Sequence, residues 1–241
     1  MIPAPPSDVR TSLGRNLTHG MLDHLGKVIV TGGYDDRPFP TEAELSIQHG
    51  VSRSVTREAV KMLTAKGLLS ARPRQGTIVQ PRSSWNLFDA DILRWLLERK
   101  FSLDLLRQFS ELRTAIEPAA AALAARAADQ AGLDAIAAGF ARMVAAEAGD
   151  DDTLEADIAF HLAILHASAN PFFMQFSDVV ATALRTSIRF TNRIGGRSAD
   201  LGAHEAVKVA IERRDAAAAH EAMLHIIEGV MGLISRTTVP A

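Results

Sequence analysis

Apolar side chains recur at helical spacing through most of the chain, and the places where they do not mark its divisions. Val9, Leu13, Leu17, Met21, Leu25 and Val28 predict a helix over about 7–31, ended by Gly32 and Gly33. A loose leader carrying Pro3, Pro5 and Pro6 precedes it, and the turn-rich YDDRPFP follows. PTEAELSIQHGVSRSVTREAVKMLTAKG, starting at Pro40, then predicts two short helices joined by a tight turn. Thr41 and Glu44 have the spacing of a capping box, Gly50 supplies a left-handed stop, and Ser52 caps the second helix. In that helix Val55, Ala59, Val60 and Leu63 share the core face. Arg53, Ser54, Arg57 and Lys61 are left for solvent.

The alternation changes after Gly67. LLSARPRQGTIVQP predicts a two-stranded ribbon: one strand over 68–71, a tip of Arg72, Pro73, Arg74, Gln75 and Gly76, and a second strand over 77–80. Short polar and basic groups at the start of a helix suit a DNA major groove, where an arginine forks onto guanine and a hydroxyl meets phosphate. A basic ribbon following such a helix pair can track the phosphate backbone or enter the minor groove. The bland counterpart is a helical hairpin with a solvated charged face.

Beyond the polar stretch 81–86, WNLFDADILRWLLERK is too apolar for a free linker. It predicts a docked segment and short helix using Trp85, Leu87, Phe88, Ile92, Leu93, Trp95 and Leu96, although tryptophans that simply fill the second core fit equally well. The remainder is Ala-rich and helical, over about 102–128, 131–148, 153–169, 171–193, 203–213 and 215–236. Its period is near 3.6, which predicts a globular antiparallel bundle and not a coiled coil. The fold class is therefore mainly α: an amino-terminal winged helix-turn-helix domain (1–82), a linking segment (83–97) and a carboxy-terminal all-α bundle (98–241).

Charge separates the same pieces. Residues 1–82 hold 11 Lys/Arg against 7 Asp/Glu, a balance of +4, while 83–241 hold 15 against 21, a balance of −6. A basic head on an acidic body fits a nucleic-acid-binding domain joined to one with another ligand. There are no cysteines, which excludes a thiolate metal site or disulfide framework and fits a cytoplasmic setting. No run of 18 uninterrupted apolar residues predicts a membrane span.

The bundle carries candidate metal ligands. Asp157 and His161 are four apart and share a helix face, His204 opens the next-to-last helix, and His225 lies midway along the last. Were these helices neighbours, one carboxylate and three imidazoles would converge on a divalent ion, with zinc, nickel, manganese or iron all suited to such donors. Isolated helical histidines are also common surface or core residues, and His19, His24, His49, His166 and His220 occur here as well.

Two resemblances sharpen this reading. The PTEAEL, GVSRSVTREAVKML, GLL and RQGTIV series resembles the amino-terminal domain of GntR-family bacterial transcription regulators, over residues 10–80. That implies DNA contacts by Ser52, Arg53, Ser54 and Arg57, with Arg72, Arg74, Gln75 and Gly76 forming the wing. Ala43 stands where many members carry a DNA-contacting arginine, so it is assigned no such role. ELRTAIEPAAAALAA, DIAFH, SANP, HEAVKVAIERRD and MLHI are similar to the helical FCD ligand-binding domain of FadR-type members. This implies Asp157, His161, His204 and His225 as metal ligands and Arg113 as an anchor for a small carboxylate effector. PRSSWNLFDADILRWLLE is similar to the galactonate-operon repressor group, which implies a sugar acid.

The expected protein is a homodimeric, effector-responsive regulator of double-stranded operator DNA, with repression the favoured direction, no membrane partner and no enzyme activity. Two rivals stand beside it. An open metal position could activate water in a hydrolase fused to the DNA-binding module, with Glu155 and Glu205 the near candidates for a base. Alternatively, the ion is purely structural. Arg185, Arg189, Asn192 and Arg193 read equally as effector donors or as solvated charge.

Overall fold

The computed structural model describes residues 7–72, 76–97, 102–195 and 200–238. The chain divides into two compact units at residue 100. In the first, α1 (Ser7–Val30), α2 (Glu42–His49) and α3 (Arg53–Ala65) precede the strands β1 (Leu69–Arg72) and β2 (Gly76–Val79), a 3-10 turn (Arg82–Ser84) and α4 (Ala90–Leu96). Local chemistry sets the helix pair. The Thr41 hydroxyl accepts from the Glu44 N–H while the Glu44 carboxylate accepts from the Thr41 N–H at 2.8 Å, closing the expected capping box. Gly50 adopts φ 61°, the left-handed conformation that releases α2, and the Ser52 hydroxyl accepts from Val55 N–H at 3.3 Å to start α3.

The core of this unit gathers Leu22, Leu25 and Ile29 of α1 with Leu45, Leu63, Leu68 and Leu69. On α3 the buried set is Thr56, Ala59, Val60 and Leu63. Thr56 takes the place expected of Val55, its hydroxyl accommodated by donating to the Ser52 carbonyl at 3.3 Å. The strands pair antiparallel, with Leu69 opposite Val79 and Arg72 opposite Gly76.

The segment after the wing folds back onto α1. Asp89 caps α4, which buries Ile92, Leu93, Trp95 and Leu96. Both Trp95 Nε1 and Arg94 Nη1 donate to one oxygen of Asp23, at 2.8 and 2.6 Å. Trp95 is fully buried in the first unit, so the reading that places it in the second core is corrected. An indole removes roughly 150–250 Å² from water, a gross gain of about 4–6 kcal/mol. Leu87 and Phe88 depart from the expectation of docking: they are 40% and 56% exposed, because the chain between the 3-10 turn and Asp89 runs over the surface. Lys66 fastens the start of α4, reaching Asp89 at 2.7 Å and Asp91 at 2.8 Å.

The second unit contains α5 (Leu103–Ala127), α6 (Gln130–Glu147), α7 (Thr153–Ala167), α8 (Pro171–Met174), α9 (Ser177–Gly195), α10 (Leu201–Glu212) and α11 (Ala216–Thr238). Helix α5 packs against α7, α9, α10 and α11, and α6 packs against α7 and α10. The core is rich in alanine, with Ala120, Ala121, Ala124 and Ala125 on α5 letting helices approach closely around Phe160, Ile164, Val207 and Met223. The single helix expected over 171–193 is divided. Asn170 and Pro171 start α8, and the Ser177 hydroxyl donates to the Met174 carbonyl at 2.7 Å, so the chain turns before α9 begins. By length and composition, 216–236 of α11 is apolar enough to cross a membrane, with a mean hydropathy of 1.2. In this fold Ala219, Met223, Ile227 and Ile234 are instead packed in the bundle, while His220, Glu221 and Glu228 are exposed.

The seat for Trp95 is Gly26, where a β-carbon would lie 2.2–2.5 Å from three indole ring atoms. Gly26→Ala is expected to destabilise the full-length protein by about 1–3 kcal/mol despite the helix preference of alanine. Urea denaturation followed by tryptophan fluorescence measures it; an unchanged or raised midpoint would refute the seat.

Candidate metal centre and DNA-reading surface

Helix α7 presents Asp157 and His161 one turn apart on the side that faces α5 and α9, and α10 brings His204 to the same place. All three side chains are buried, and one ligand atom from each lies within 4.8 Å of the others. Asp157 Oδ1 stands 3.2 Å from His204 Nε2 and 3.8 Å from His161 Nε2. Two donors on one tetrahedral ion, each bonded at about 2.1 Å, stand about 3.4 Å apart. The observed spacings match that geometry.

Proton placement supports the same fit. His204 Nδ1 is 2.7 Å from the Asp200 carbonyl, which can only accept, so the proton is on Nδ1 and the lone pair is on Nε2. His161 Nδ1 lies 2.6 Å from Glu117 Oε2, within reach for the ring N–H to donate to that carboxylate. Among the described residues, Nε2 of His204 and Nε2 of His161 are buried without a hydrogen-bond partner. A divalent ion is the kind of partner such nitrogens lack, and Glu117 behind His161 has the position of the carboxylate that commonly orients a metal-bound imidazole.

Arg113 completes this buried group. It is 3% exposed, with Nε and Nη2 donating to the two oxygens of Glu117 at 2.5 and 3.2 Å. Burial pushes the Glu117 carboxyl up, but the Arg113 guanidinium and then His161 outweigh it and hold it at about 2. Burial likewise raises Asp157, and His204, His161 and Arg113 bring it below its ordinary value. Arg113 sets one positive charge against the two carboxylates of Glu117 and Asp157, and a divalent cation held by neutral imidazoles would offset the excess negative charge.

Two of the expected residues stand apart from this arrangement or are already engaged in it. His225 does not join the three ligands: it is exposed on α11, two residues from the buried Met223 and therefore about 200° around the helix from the core-facing side. Arg113 is engaged with Glu117 and does not stand as an open anchor for an effector. The role of Glu117 was missed. Its signal was the spacing of four from Arg113, which brings opposite charges together on any helix, buried or not.

In the first unit Arg53, Ser54 and Arg57 are exposed along the first turns of α3. The Ser52 and Ser54 hydroxyls are 2.8 Å apart, and Arg57 Nε is 3.6 Å from Glu42 of α2, a loose and exposed pair that a phosphate can displace at little cost. Arg72 is exposed at the end of β1, opposite Gly76 with φ 79°. Arg74 and Gln75 lie outside the described residues, as do the side chains of Arg189, Asn192 and Arg193. Arg185 pairs with Glu155 at 3.1 Å.

Residues 34–79 match the bacterial regulatory proteins of the gntR family, and residues 108–229 match the FCD domain. The chain belongs to the GntR family. It is 34% identical over 215 residues to the galactonate operon transcriptional repressor of Escherichia coli K12, covering 88% of this chain and 94% of that one. It is 34% identical over 224 residues to the HTH-type transcriptional regulator YieP of the same organism, covering 90% and 95%. Lar, which controls expression of the Listeria monocytogenes agr system, shares the fold with a TM-score of 0.54 at 17% identity, over 90% of this chain and 96% of that structure. This GntR-family, FCD-type protein is a transcription regulator; its families and relatives are regulators and not enzymes, which removes the hydrolase reading. GntR regulators bind operator DNA and small-molecule effectors, and FCD domains often bind metal.

Removing Glu117 leaves the Arg113 charge buried without its partner. Glu117→Ala is expected to cost about 3–5 kcal/mol of stability, and the double exchange Arg113→Met with Glu117→Leu to recover part of it. Urea denaturation of the three proteins measures both steps; a double variant no more stable than Glu117→Ala would contradict the pairing.

Proposed function

We propose that this GntR regulator is a cytoplasmic repressor that binds its operator as a homodimer, holds a divalent ion at Asp157, His161 and His204, and responds to a small carboxylate, with a sugar acid the leading class. Residues 1–82 are assigned to the head that reads DNA, 83–97, packed against that head, lead on from it, and 98–241 are the receiving bundle. The observation that carries the receptor half is the buried three-donor group with its partnerless nitrogens. Zinc is the ion of choice, since two imidazoles and a carboxylate at tetrahedral spacing are a common zinc set; nickel, manganese and iron(II) tolerate the same donors. Three protein ligands leave at least one position for a carboxylate oxygen. The repressor direction and the sugar-acid class are supported by the 34% identity to the galactonate operon repressor.

In the head, Arg53 and Arg57 supply groove contacts while Ser52 and Ser54 meet phosphate. Arg72, Arg74, Gln75 and Gly76 are the wing residues assigned from the sequence to contact the DNA backbone. A two-fold pair of heads reads a palindrome with half-sites one helical turn or a multiple apart, about 34 Å per turn. Effector binding shifts operator affinity only through differential affinity for two head arrangements, typically worth about 1–3 kcal/mol.

A closed structural ion is the second reading. It is favoured by the near-complete burial of Asp157, His161 and His204 and by the engagement of Arg113 with Glu117. Titration calorimetry of galactonate and related aldonates into zinc-loaded and chelator-stripped protein separates the two. Binding that requires the metal supports the receptor; metal retention with no aldonate binding supports the structural ion.

Single exchanges test the halves separately. His161→Ala is expected to lose stoichiometric metal, measured by plasma emission spectrometry, while keeping basal operator binding; His225→Ala is expected to keep its metal. Arg53→Ala is expected to lose roughly 1–3 kcal/mol of discrimination between operator and scrambled DNA with metal content unaltered. A metal-replete His161→Ala protein would overturn the site, and undiminished discrimination by Arg53→Ala would remove it from base reading.

A further inference from the structure

A second cluster of ligating side chains lies in the head, away from the bundle. His24 on α1 and His49, the last residue of α2, bring their rings together with centroids 5.1 Å apart and planes inclined at 66°. They border a cavity of about 260 Å³ whose other polar walls are Tyr34, Arg37 and Gln48. Both histidines stand at the surface, His49 with its ring partly covered, so their meeting is not a by-product of core packing.

The spacing has a chemical meaning. An imidazole bonded to a transition metal at 2.0–2.1 Å has its ring centre about 3.2 Å from the ion, and two such rings at the tetrahedral angle have centres about 5 Å apart. No carboxylate lines the cavity, which disfavours calcium and magnesium, whereas imidazole donors suit zinc, copper and nickel. The carboxy-terminal end of α2, where His49 sits, carries the negative end of the helix dipole and favours a cation. Burial and the neighbouring His24 hold the His49 imidazole below its ordinary value, leaving a lone pair available at neutral pH. The one cation in the wall is turned aside: Arg37 Nε donates to the Gly33 carbonyl at 2.7 Å and its guanidinium lies over the Tyr34 ring at 4.7 Å.

We propose that His24 and His49 form a second metal site, selective for a borderline transition-metal ion such as zinc, that ties α1 to the end of α2 in the DNA-reading head. Water completes the coordination. The tie falls immediately before Gly50 and Ser52, so a bound ion stiffens the turn from which α3 departs. Its source is the free ion in the surroundings, and it is independent of the bundle centre.

The test is zinc titrated by calorimetry into full-length protein whose bundle centre is already loaded. One further ion per chain is expected, with affinity at least about tenfold weaker in both His24→Ala and His49→Ala and unchanged in His220→Ala, an exposed histidine elsewhere. The same titration of Asp157→Ala/His161→Ala protein is expected to retain this event, which separates it from the bundle site. Equal thermal midpoints in metal-free buffer check that the histidine variants fold. Absence of a further ion, or one that persists in both His24→Ala and His49→Ala, would overturn the proposal.

Discussion

Charge taken out of water must be answered, and in the bundle the answer is incomplete among the protein's own groups. Arg113 and Glu117 satisfy each other across one helical turn, but Asp157 adds a second carboxylate, and the imidazoles beside it keep Nε2 atoms that have no hydrogen-bond partner among the described residues. Each such atom costs on the order of 1–3 kcal/mol if left alone. The rest of the unit is arranged around this deficit: α5 supplies the pair that braces it, α7 carries two donors on one face, and α10 contributes a third. The Ala-rich surface of α5 lets these helices come close enough for the donors to converge.

The head is held together by a different logic, in which one carboxylate serves several donors. Asp23 receives Trp95 and Arg94 on the same oxygen and Lys27 on the other at 3.2 Å, so the helix that follows the wing is fastened to the first helix of the fold by polar contacts as well as by the buried indole. Burial would raise that carboxyl, but the bonds from Trp95, Arg94 and Lys27 bring it below its ordinary range. Lys66 repeats the pattern with opposite sign, one ammonium between Asp89 and Asp91, and secures the amino end of α4. The segment after the wing is therefore part of the head's own framework.

What could be read in advance was what depends on neighbours within about four residues. Thr41 with Glu44, Gly50 and Ser52 declare their helix ends because each cap is closed inside its own turn. Asp157 and His161 declare a shared face for the same reason. What could not be read depended on how a helix is rotated against others. His225 falls on the outer side of α11 because Met223 takes the inner one, and nothing within the helix decides between two residues so placed. Arg113 reads as a ligand anchor until burial brings Glu117 against it. The break between α8 and α9 falls in a stretch with no glycine or proline to mark it, and only the Ser177 hydroxyl reaching back to Met174 reveals it.

Asp200 performs two tasks at the entrance to α10: its side chain accepts from the Ala203 N–H, and its main-chain oxygen receives the His204 ring. Where the helix begins and where the imidazole points are thus decided by one residue. The cap calls for a short side-chain acceptor at 200, whereas the ring's partner is a main-chain oxygen that any residue there would supply. Only the first task depends on the side chain at 200, so the aim of the donor survives its exchange wherever the helix still starts at the same place.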